Sequence, residues 1–165
     1  METPICEVCI KSKILCKACK EKLEKKEISK PDIEVSRLIY KISKDAKTLK
    51  DVSIKKVIEL SNLIVIVCKE GDAAKIVGKT GIIVKKLSKE LGKPIKVIEE
   101  SKNKKEFLQN LLFPTPILGI NILYTPKEEI LRIRIPKRKI MPTLRKSINE
   151  FAKHLFNKKV EIIEE

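Results

Sequence analysis

Apolar residues in the first hundred positions recur at two spacings, one typical of helices and one typical of strands. After Pro31, which suits the first turn of a helix, they recur every three to four positions up to Ile42. The continuous apolar run from Leu63 to Val67 instead predicts a buried strand. The predicted elements are a helix within 28–45 capped by Ser29 or Asp32, strands over 52–60 and 63–67, a helix from Asp72 to Gly78, a helix from Gly81 to Gly92, and a strand over 94–98.

The second half of the sequence repeats much of this order. GKPIKVIEE (92–100) and NKKVEIIEE (157–165) align without a gap, which indicates an internal repeat. The short helix and the glycine turn of the first half are missing from the second, because residues 136–142 contain no glycine and leave no room for the extra helix. The predicted elements are a helix over 103–113 stopped by Pro114, strands over 117–124 and 130–135, a helix capped by Thr143 and running to about 157, and a strand over 160–163.

The segment Gly78-Lys79-Thr80-Gly81 joins two predicted helices and carries the candidate binding chemistry. Glycine permits positive φ and close approach of another backbone. The start of the second helix presents unpaired N–H groups, and Lys79 adds a positive charge. Such a turn suits a phosphodiester backbone, although two glycines at a helix junction often make only a turn. Ile82 falls off the apolar stripe, so it either contacts a base or is simply exposed.

The charge balance favours nucleic acid as a partner. The chain holds 37 Lys and Arg against 22 Asp and Glu, a net charge of +15. The abundance of Lys, Glu and Ile is also seen in heat-adapted proteins, but that bias alone would not leave so large a surplus. Neither a membrane span nor a signal peptide is visible, so a cytoplasmic protein is expected.

Four cysteines lie within residues 1–28, as Cys6-x-x-Cys9 and Cys16-x-x-Cys19. Two such turns can place four thiolates at the corners of a tetrahedron, which Zn²⁺ accepts. A segment this short would draw much of its folding energy from the metal. We therefore expect one structural zinc ion per chain; a redox dithiol pair and an iron–sulfur site are the alternatives. The fifth cysteine, Cys68, reads as a core residue.

The nine residues IVGKTGIIV (76–84) resemble the signature loop of KH domains, which grips the sugar-phosphate backbone of about four nucleotides. With the cysteine segment, nearly the whole chain resembles archaeal NusA-like proteins with tandem KH domains and a four-cysteine zinc element. The resemblance implies an α+β fold (α/β sandwich-type KH units). It comprises a zinc-binding module over 1–28, a type II KH domain over 29–100 and a degenerate KH-like domain without the glycine turn over 101–165. The residues it implies for RNA binding are Lys75, Ile76, Val77, Gly78, Lys79, Thr80, Gly81 and Ile82.

The resemblance further implies single-stranded RNA binding in transcription elongation or termination, or in ribosomal RNA processes. The second half, with fourteen Lys and Arg against seven acids, is expected to add non-specific phosphate contacts or to be an ordinary solvated face. Its candidate residues are Arg132, Arg134, Lys137, Arg138, Lys139 and Arg145.

Two other functional classes stay open. A protein-interaction adaptor would dock on RNA polymerase or the ribosome, with RNA contact secondary. An enzyme acting on RNA would need a nucleophile and base or a carboxylate cluster, and the single histidine, His154, reads as a surface residue. We therefore expect neither catalysis nor a small-molecule substrate.

Overall fold

The computed structural model describes residues 1–137, 140 and 142–165 and divides into two compact units of mixed α+β structure. The first unit comprises Met1–Glu59 and Ile64–Glu100, and the second comprises Leu60–Leu63 and Ser101–Glu165. The four-cysteine segment therefore lies within the first unit. Residues Arg138 and Lys139 and the side chain of Thr143 lie outside the described part of the chain, so the expectations placed on them are not addressed.

The first unit contains five α-helices and a three-stranded sheet among its residues. The strand order is β1-β2-β3, with β1 antiparallel to β2 and β2 parallel to β3. Short 3₁₀ turns occupy Lys47–Asp51 and Lys79–Gly81. The elements are α1 (Glu7–Lys11), α2 (Lys17–Glu24), α3 (Lys30–Ser43), β1 (Ile54–Glu59), β2 (Ile64–Cys68), α4 (Ala73–Val77), α5 (Ile82–Leu91) and β3 (Ile95–Glu99).

Helix α3 begins at a capping box, and of the two predicted cap residues Ser29 is the one at the N-cap. Ser29 is the N-cap, and its backbone N–H donates to Oδ2 of Asp32 at 2.8 Å. The other carboxylate oxygen of Asp32 accepts from the backbone N–H of Val57 at 2.6 Å. One buried side chain therefore caps α3 and ties it to β1, so the helix start and the first strand hold a fixed relation.

The core of the first unit lies between the sheet and helices α3, α4 and α5. All five residues of β2 are buried, which confirms the prediction from the apolar run. Cys68, the last residue of β2, is fully buried, as expected of a core residue. Ile39 from α3, Ile66 from β2, Ile76 from α4 and Leu87 from α5 belong to one cluster of buried side chains. This cluster fixes α4 and α5, and therefore the glycine turn between them.

The second unit repeats the sheet topology of the first. Strand β4 is antiparallel to β5, and β6 pairs in parallel with β5. The aligned segments at 92–100 and 157–165 hold β3 and β6, which occupy equivalent positions, so the predicted repeat is confirmed at the level of strand order. The elements are α6 (Lys104–Leu112), β4 (Gly119–Tyr124), β5 (Glu129–Ile135), α7 (Pro142–Phe156) and β6 (Lys159–Glu164).

The two units differ between the middle strand and the helix that follows it. Residues 69–81 hold α4 and the glycine turn in the first unit, whereas only residues 136–141 separate β5 from α7. In β5, Leu131, Ile133 and Ile135 are buried and alternate with half-exposed residues, as predicted for a strand with one solvated face. No helix among the described residues is long and apolar enough to span a membrane.

Candidate metal and nucleic-acid sites

The four cysteines of the N-terminal segment converge on one point. Their Sγ atoms, from Cys6, Cys9, Cys16 and Cys19, all lie within 4.8 Å of one another. Both Cys-x-x-Cys turns use the same construction: the first cysteine is the N-cap of a short helix and the second lies in its first turn. The sulfur cluster therefore faces two helix N-termini, where backbone N–H groups point toward negative charge.

Backbone N–H groups donate to two of these sulfurs. The N–H of Cys16 donates to Sγ of Cys9 at 3.0 Å, and the N–H of Cys19 donates to Sγ of Cys16 at 3.4 Å. N–H groups aimed at sulfur favour thiolates and are typical of the surroundings of metal-bound cysteines. These hydrogen bonds thus stabilise the cysteine sulfurs as thiolates.

Without a cation, the thiols lose their protons unequally. The backbone N–H and then the thiol of Cys9 stabilise the thiolate of Cys6, and its pKa falls to about 7. The N–H of Cys16 lowers the pKa of Cys9, but burial and the neighbouring sulfurs outweigh it and raise that pKa to about 12. Burial also raises the pKa of Cys19. Several thiolates this close repel one another, and a bound cation would offset that repulsion.

The distances between sulfurs suit a tetrahedral metal. A Zn–S bond of about 2.3 Å in a regular tetrahedron gives sulfur–sulfur distances of about 3.8 Å. Sγ of Cys6 and Sγ of Cys16 are 3.8 Å apart. Four sulfurs complete the coordination shell, so such a site would have no open position for a substrate. The four cysteines thus lie within metal-binding distance.

The cysteine segment packs against helix α3. Cys9 and Cys19 are buried in a cluster that includes Ile10 of α1 and Ile33 of α3. Nε of Arg37, also on α3, donates to the backbone carbonyl of Cys9 at 3.1 Å. The sequence prediction missed this docking, although the apolar residues Ile5, Ile10 and Ile28 around the cysteines could have indicated it.

The glycine turn has the backbone conformation that its sequence predicts. Gly78 has φ 77° and ψ 169°, a combination found essentially only at glycine. Gly81 has φ 74°, in the left-handed region. Thr80 between them has φ 55°, which is uncommon for a β-branched residue. Backbone strain of this kind is concentrated at functional sites, so the turn is a candidate site on geometry alone.

The two glycines are needed for different reasons. A Cβ added to Gly78 would lie 2.8 Å from Cγ1 of Ile83, so the glycine allows that side chain to close over the turn. A Cβ added to Gly81 would meet nothing within 4 Å. Gly78 therefore serves internal packing, whereas Gly81 faces open space that a ligand backbone can enter.

The turn is accessible, and two of its amides are free. Lys79 and Thr80 are exposed, and their backbone N–H groups have no acceptor among the described residues. The N–H of Gly81 is used, since it donates to the carbonyl of Gly78 at 3.1 Å. Ile82 at the start of α5 is 55% exposed beside the turn. An apolar side chain, two free amides and a lysine thus share one surface.

The remaining predicted residues differ in accessibility. Val77 is half-buried, and Ile76 is fully buried in the core, so its side chain is closed to a ligand. Lys75 is exposed, and its ammonium lies 2.9 Å from the carboxylate of Asp72. This pairing raises the pKa of Lys75 and partly neutralises its charge. Lys79, which has no ion pair in the described structure, is the freer cation at this site.

Asp72 occupies the N-cap position of α4 but does not cap it. Its side chain makes no cap hydrogen bond; its carboxylate accepts from the backbone N–H of Ser53 at 2.9 Å and pairs with Lys75. The hydrogen bond with Lys75 and then that with Ser53 outweigh burial and lower the pKa of Asp72. The prediction that the Asp72 side chain caps α4 was wrong, because its carboxylate binds the N–H of Ser53 instead. Ser53 precedes β1 and comes close to Asp72 only in the folded chain.

Several basic residues of the second unit that were predicted to contact phosphate form ion pairs with glutamates of the same unit. Nε of Arg132 lies 2.9 Å from the carboxylate of Glu161, Nη1 of Arg134 lies 3.4 Å from that of Glu165, and Arg145 pairs with Glu164. Lys137 is exposed, and His154 is exposed on α7, as predicted for a surface residue. Arg132, Arg134 and Arg145 are therefore engaged in ion pairs within the chain.

Comparisons with known proteins support the fold alone. Neither the family models nor the curated proteins gave a match to this chain. Among solved structures, the crystal structure of APE1850, an archaeal protein, is similar with a TM-score of 0.59 and 23% sequence identity. The similarity covers 77% of this chain and 96% of that one. At this identity, it shows a shared fold and nothing about activity.

Proposed function

We propose that this chain binds single-stranded RNA, with the Gly78–Gly81 turn holding the sugar-phosphate backbone as the corresponding turn of a KH domain does. The observation that carries the proposal is the exposed, strained turn with two free amides. Lys79 would neutralise a phosphate, and Ile82 would lie against a base. The buried cluster behind α4 and α5 holds the turn in place before a ligand arrives, which lowers the entropic cost of binding.

The arrangement around the turn supports a KH-type unit. A helix, two antiparallel strands, a helix, the glycine turn, a helix and a third strand parallel to the second form the order expected for the type II KH fold. The second unit shares the strand order and lacks the turn, so we propose that it is a degenerate KH-like unit. A NusA-like role in transcription, or one in ribosomal RNA processes, follows from the resemblance and belongs to the same proposal.

We also propose that the four cysteines hold one structural Zn²⁺ ion. The closed sulfur set and the spacing of the sulfurs support zinc, and the ion would fix the cysteine segment against α3. Its chemistry would be structural, since four cysteines leave no coordination position for a substrate.

The test of RNA binding is a double substitution in the turn. Lys79→Asp with Thr80→Asp places two carboxylates where phosphates would lie, and we expect affinity for single-stranded RNA to fall at least tenfold, or about 1.4 kcal/mol or more. Filter binding with a 12-nucleotide pool of random sequence measures this. Lys47→Asp with Thr48→Asp is a matched control, because the same dipeptide is exposed there in the 3₁₀ turn Lys47–Asp51, outside the glycine turn. Equal affinities for the two variants would remove the turn from the mechanism.

A further inference from the structure

A cavity of about 700 Å³ lies at the end of helix α3, apart from the glycine turn. Its wall is formed by the N-terminal segment, α1, the last turn of α3 and Lys50 of the 3₁₀ turn. The buried side chains of Ile5 and Ile10 and the ring of Tyr40 give it apolar surface. This volume is in the range of small-ligand sites.

Tyr40 gives the cavity a surface on which a planar ring can stack. It is the only aromatic residue in positions 1–100. The ammonium of Lys44 lies over one face of this ring, 5.5 Å from its centre, which leaves the other face for a base, and Lys50 lines the same cavity. An aromatic plane with two lysines close by offers one place for a base and another for its phosphate.

The cavity also contains carboxylates, which narrow the choice of ligand. Glu7 pairs with Lys11 through Oε1, and Glu2 accepts from the hydroxyl of Ser53 through Oε2. The second oxygen of each has no hydrogen-bond or ion-pair partner among the described residues. Two carboxylates would repel a simple anion, and an aliphatic chain would leave the charged groups without partners. A nucleotide satisfies all of them, because its base has N–H donors, its ring stacks and its phosphate pairs with lysine.

We infer that this cavity binds one nucleotide, with the base on Tyr40 and the phosphate at Lys44 and Lys50. The nucleotide belongs either to an RNA strand whose other nucleotides lie at the glycine turn or to a free mononucleotide. A second depression, of about 470 Å³, adjoins the cavity through Met1 and Glu2 and is lined by Lys69 and Lys75 together with the acids Asp51, Glu70 and Asp72. Lys75 is on α4, which ends at Val77 directly before the glycine turn, so a strand held at the turn can run along this depression, with its phosphates at the two lysines, to the cavity. The RNA source rests on the function proposed above; the mononucleotide source does not.

The experiment compares four variants of the full chain. Tyr40→Leu removes the ring and keeps an apolar side chain, and Tyr40→Phe keeps the ring. Lys44→Glu reverses a charge in the cavity, and Lys41→Glu makes the same change at an exposed position of α3 that does not line the cavity. Because Lys44 is exposed, Lys44→Glu should not disturb folding, so it still tests the cavity if Tyr40→Leu unfolds the chain.

Each variant is measured by filter binding with 4- and 12-nucleotide RNA pools and by NMR titration with the four ribonucleoside monophosphates. For the RNA source, Tyr40→Leu and Lys44→Glu weaken binding of the 12-nucleotide pool at least fivefold and change binding of the 4-nucleotide pool by less than twofold. The controls Tyr40→Phe and Lys41→Glu change binding of either pool by less than twofold. For the mononucleotide source, at least one monophosphate shifts the resonances of Tyr40 and Lys44 in the unmodified chain, and both substitutions abolish those shifts. If neither substitution differs from its control with RNA or with any monophosphate, the inference is overturned.

The two proposals can fail separately. If substitutions at Tyr40 or Lys44 weaken 12-nucleotide binding but those at Lys79 and Thr80 do not, the cavity is a binding site and the turn is not. The opposite result, with no response to any monophosphate, would keep the turn and reject the cavity.

Discussion

The two glycines of the turn share a positive φ but differ in what a methyl group would meet. We expect Gly81→Ala to lower the free energy of unfolding by about 1 kcal/mol through backbone strain alone. Gly78→Ala should cost more, about 3 kcal/mol, because its conformation excludes other residues and its Cβ would collide with Ile83. Urea unfolding measures both.

A double-mutant cycle with Ile83→Ala separates these causes. The collision predicts that Gly78→Ala and Ile83→Ala together cost less than the sum of the single changes, while Gly81→Ala and Ile83→Ala add. Additive costs for the first pair would show that Ile83 is not what excludes a side chain at Gly78.

Asp72 gives the stability of the first unit a dependence on pH. Its pKa in the folded chain lies below 3.8, while the unfolded value is about 3.9. Its contribution is therefore complete above about pH 4 and is lost as pH falls through the folded pKa. We expect Asp72→Asn to cost about 1 kcal/mol at pH 7, a value kept small because the Lys75 side chain is 44% exposed, and to have less effect near pH 2. Urea unfolding at both pH values measures this difference, and a cost independent of pH would contradict the assigned pairing.

Residue patterns predicted local features better than partners distant in sequence. The φ values of Gly78 and Gly81 follow from turn chemistry, and the N-cap Ser29 was one of the two cap residues that the sequence offered. The bond from Val57 to Asp32 and the pairs of Arg132 and Arg134 do not, because their partners are separated by 25 residues or more. The basic residues of the second unit could be counted from the sequence, but their pairing required the register of β5 and β6.

At the scale of elements, α3 connects the cysteine segment to the sheet. One end is tied to β1 through Asp32, and its side carries Ile33 and Arg37, which contact the cysteine segment. The sequence predicted this helix and its cap but treated residues 1–28 as separate. Apolar residues spread over a short segment do not reveal which neighbouring face they will cover.

Substitutions at the start of α3 distinguish capping from attachment to the sheet. Ser29→Ala removes a cap and should cost about 1 kcal/mol. Asp32→Ala should cost about 3 kcal/mol, because it leaves the buried N–H of Val57 without a partner as well as the N–H of Ser29. The free energies of unfolding of the two variants measure the difference, and equal costs would mean that the bond to β1 adds nothing to stability.

At the scale of the whole molecule, the repeated strand order occurs with two different connections after the middle strand. The aligned segments at 92–100 and 157–165 were enough to predict equivalent third strands, and in the structure each pairs in parallel with the middle strand of its sheet. The absence of a glycine turn in the second unit was also visible, since residues 136–142 contain no glycine and leave no room for the extra helix. The convergence of the four cysteine sulfurs was predictable from spacing alone.

Removal of the metal should affect one part of the chain selectively. We expect one zinc ion per chain by elemental analysis, and we expect chelation to remove hydrogen-exchange protection from residues 1–28 while β4, β5 and β6 keep theirs. The physical reason is that a segment with so small a core depends on its metal. Cys16→Ser should lose the ion, and Cys68→Ser is the control that should keep it. A folded chain without metal in which the thiols of Cys6, Cys9, Cys16 and Cys19 react freely would contradict the zinc proposal.

The position of Tyr40 provides an optical probe of the first unit. The chain has no tryptophan and only two tyrosines, of which the other, Tyr124, is exposed on β4. Replacing Tyr124 by phenylalanine would leave a single emitting side chain beside the cysteine segment. Its fluorescence, excited near 280 nm, would then follow events in that region without an attached dye.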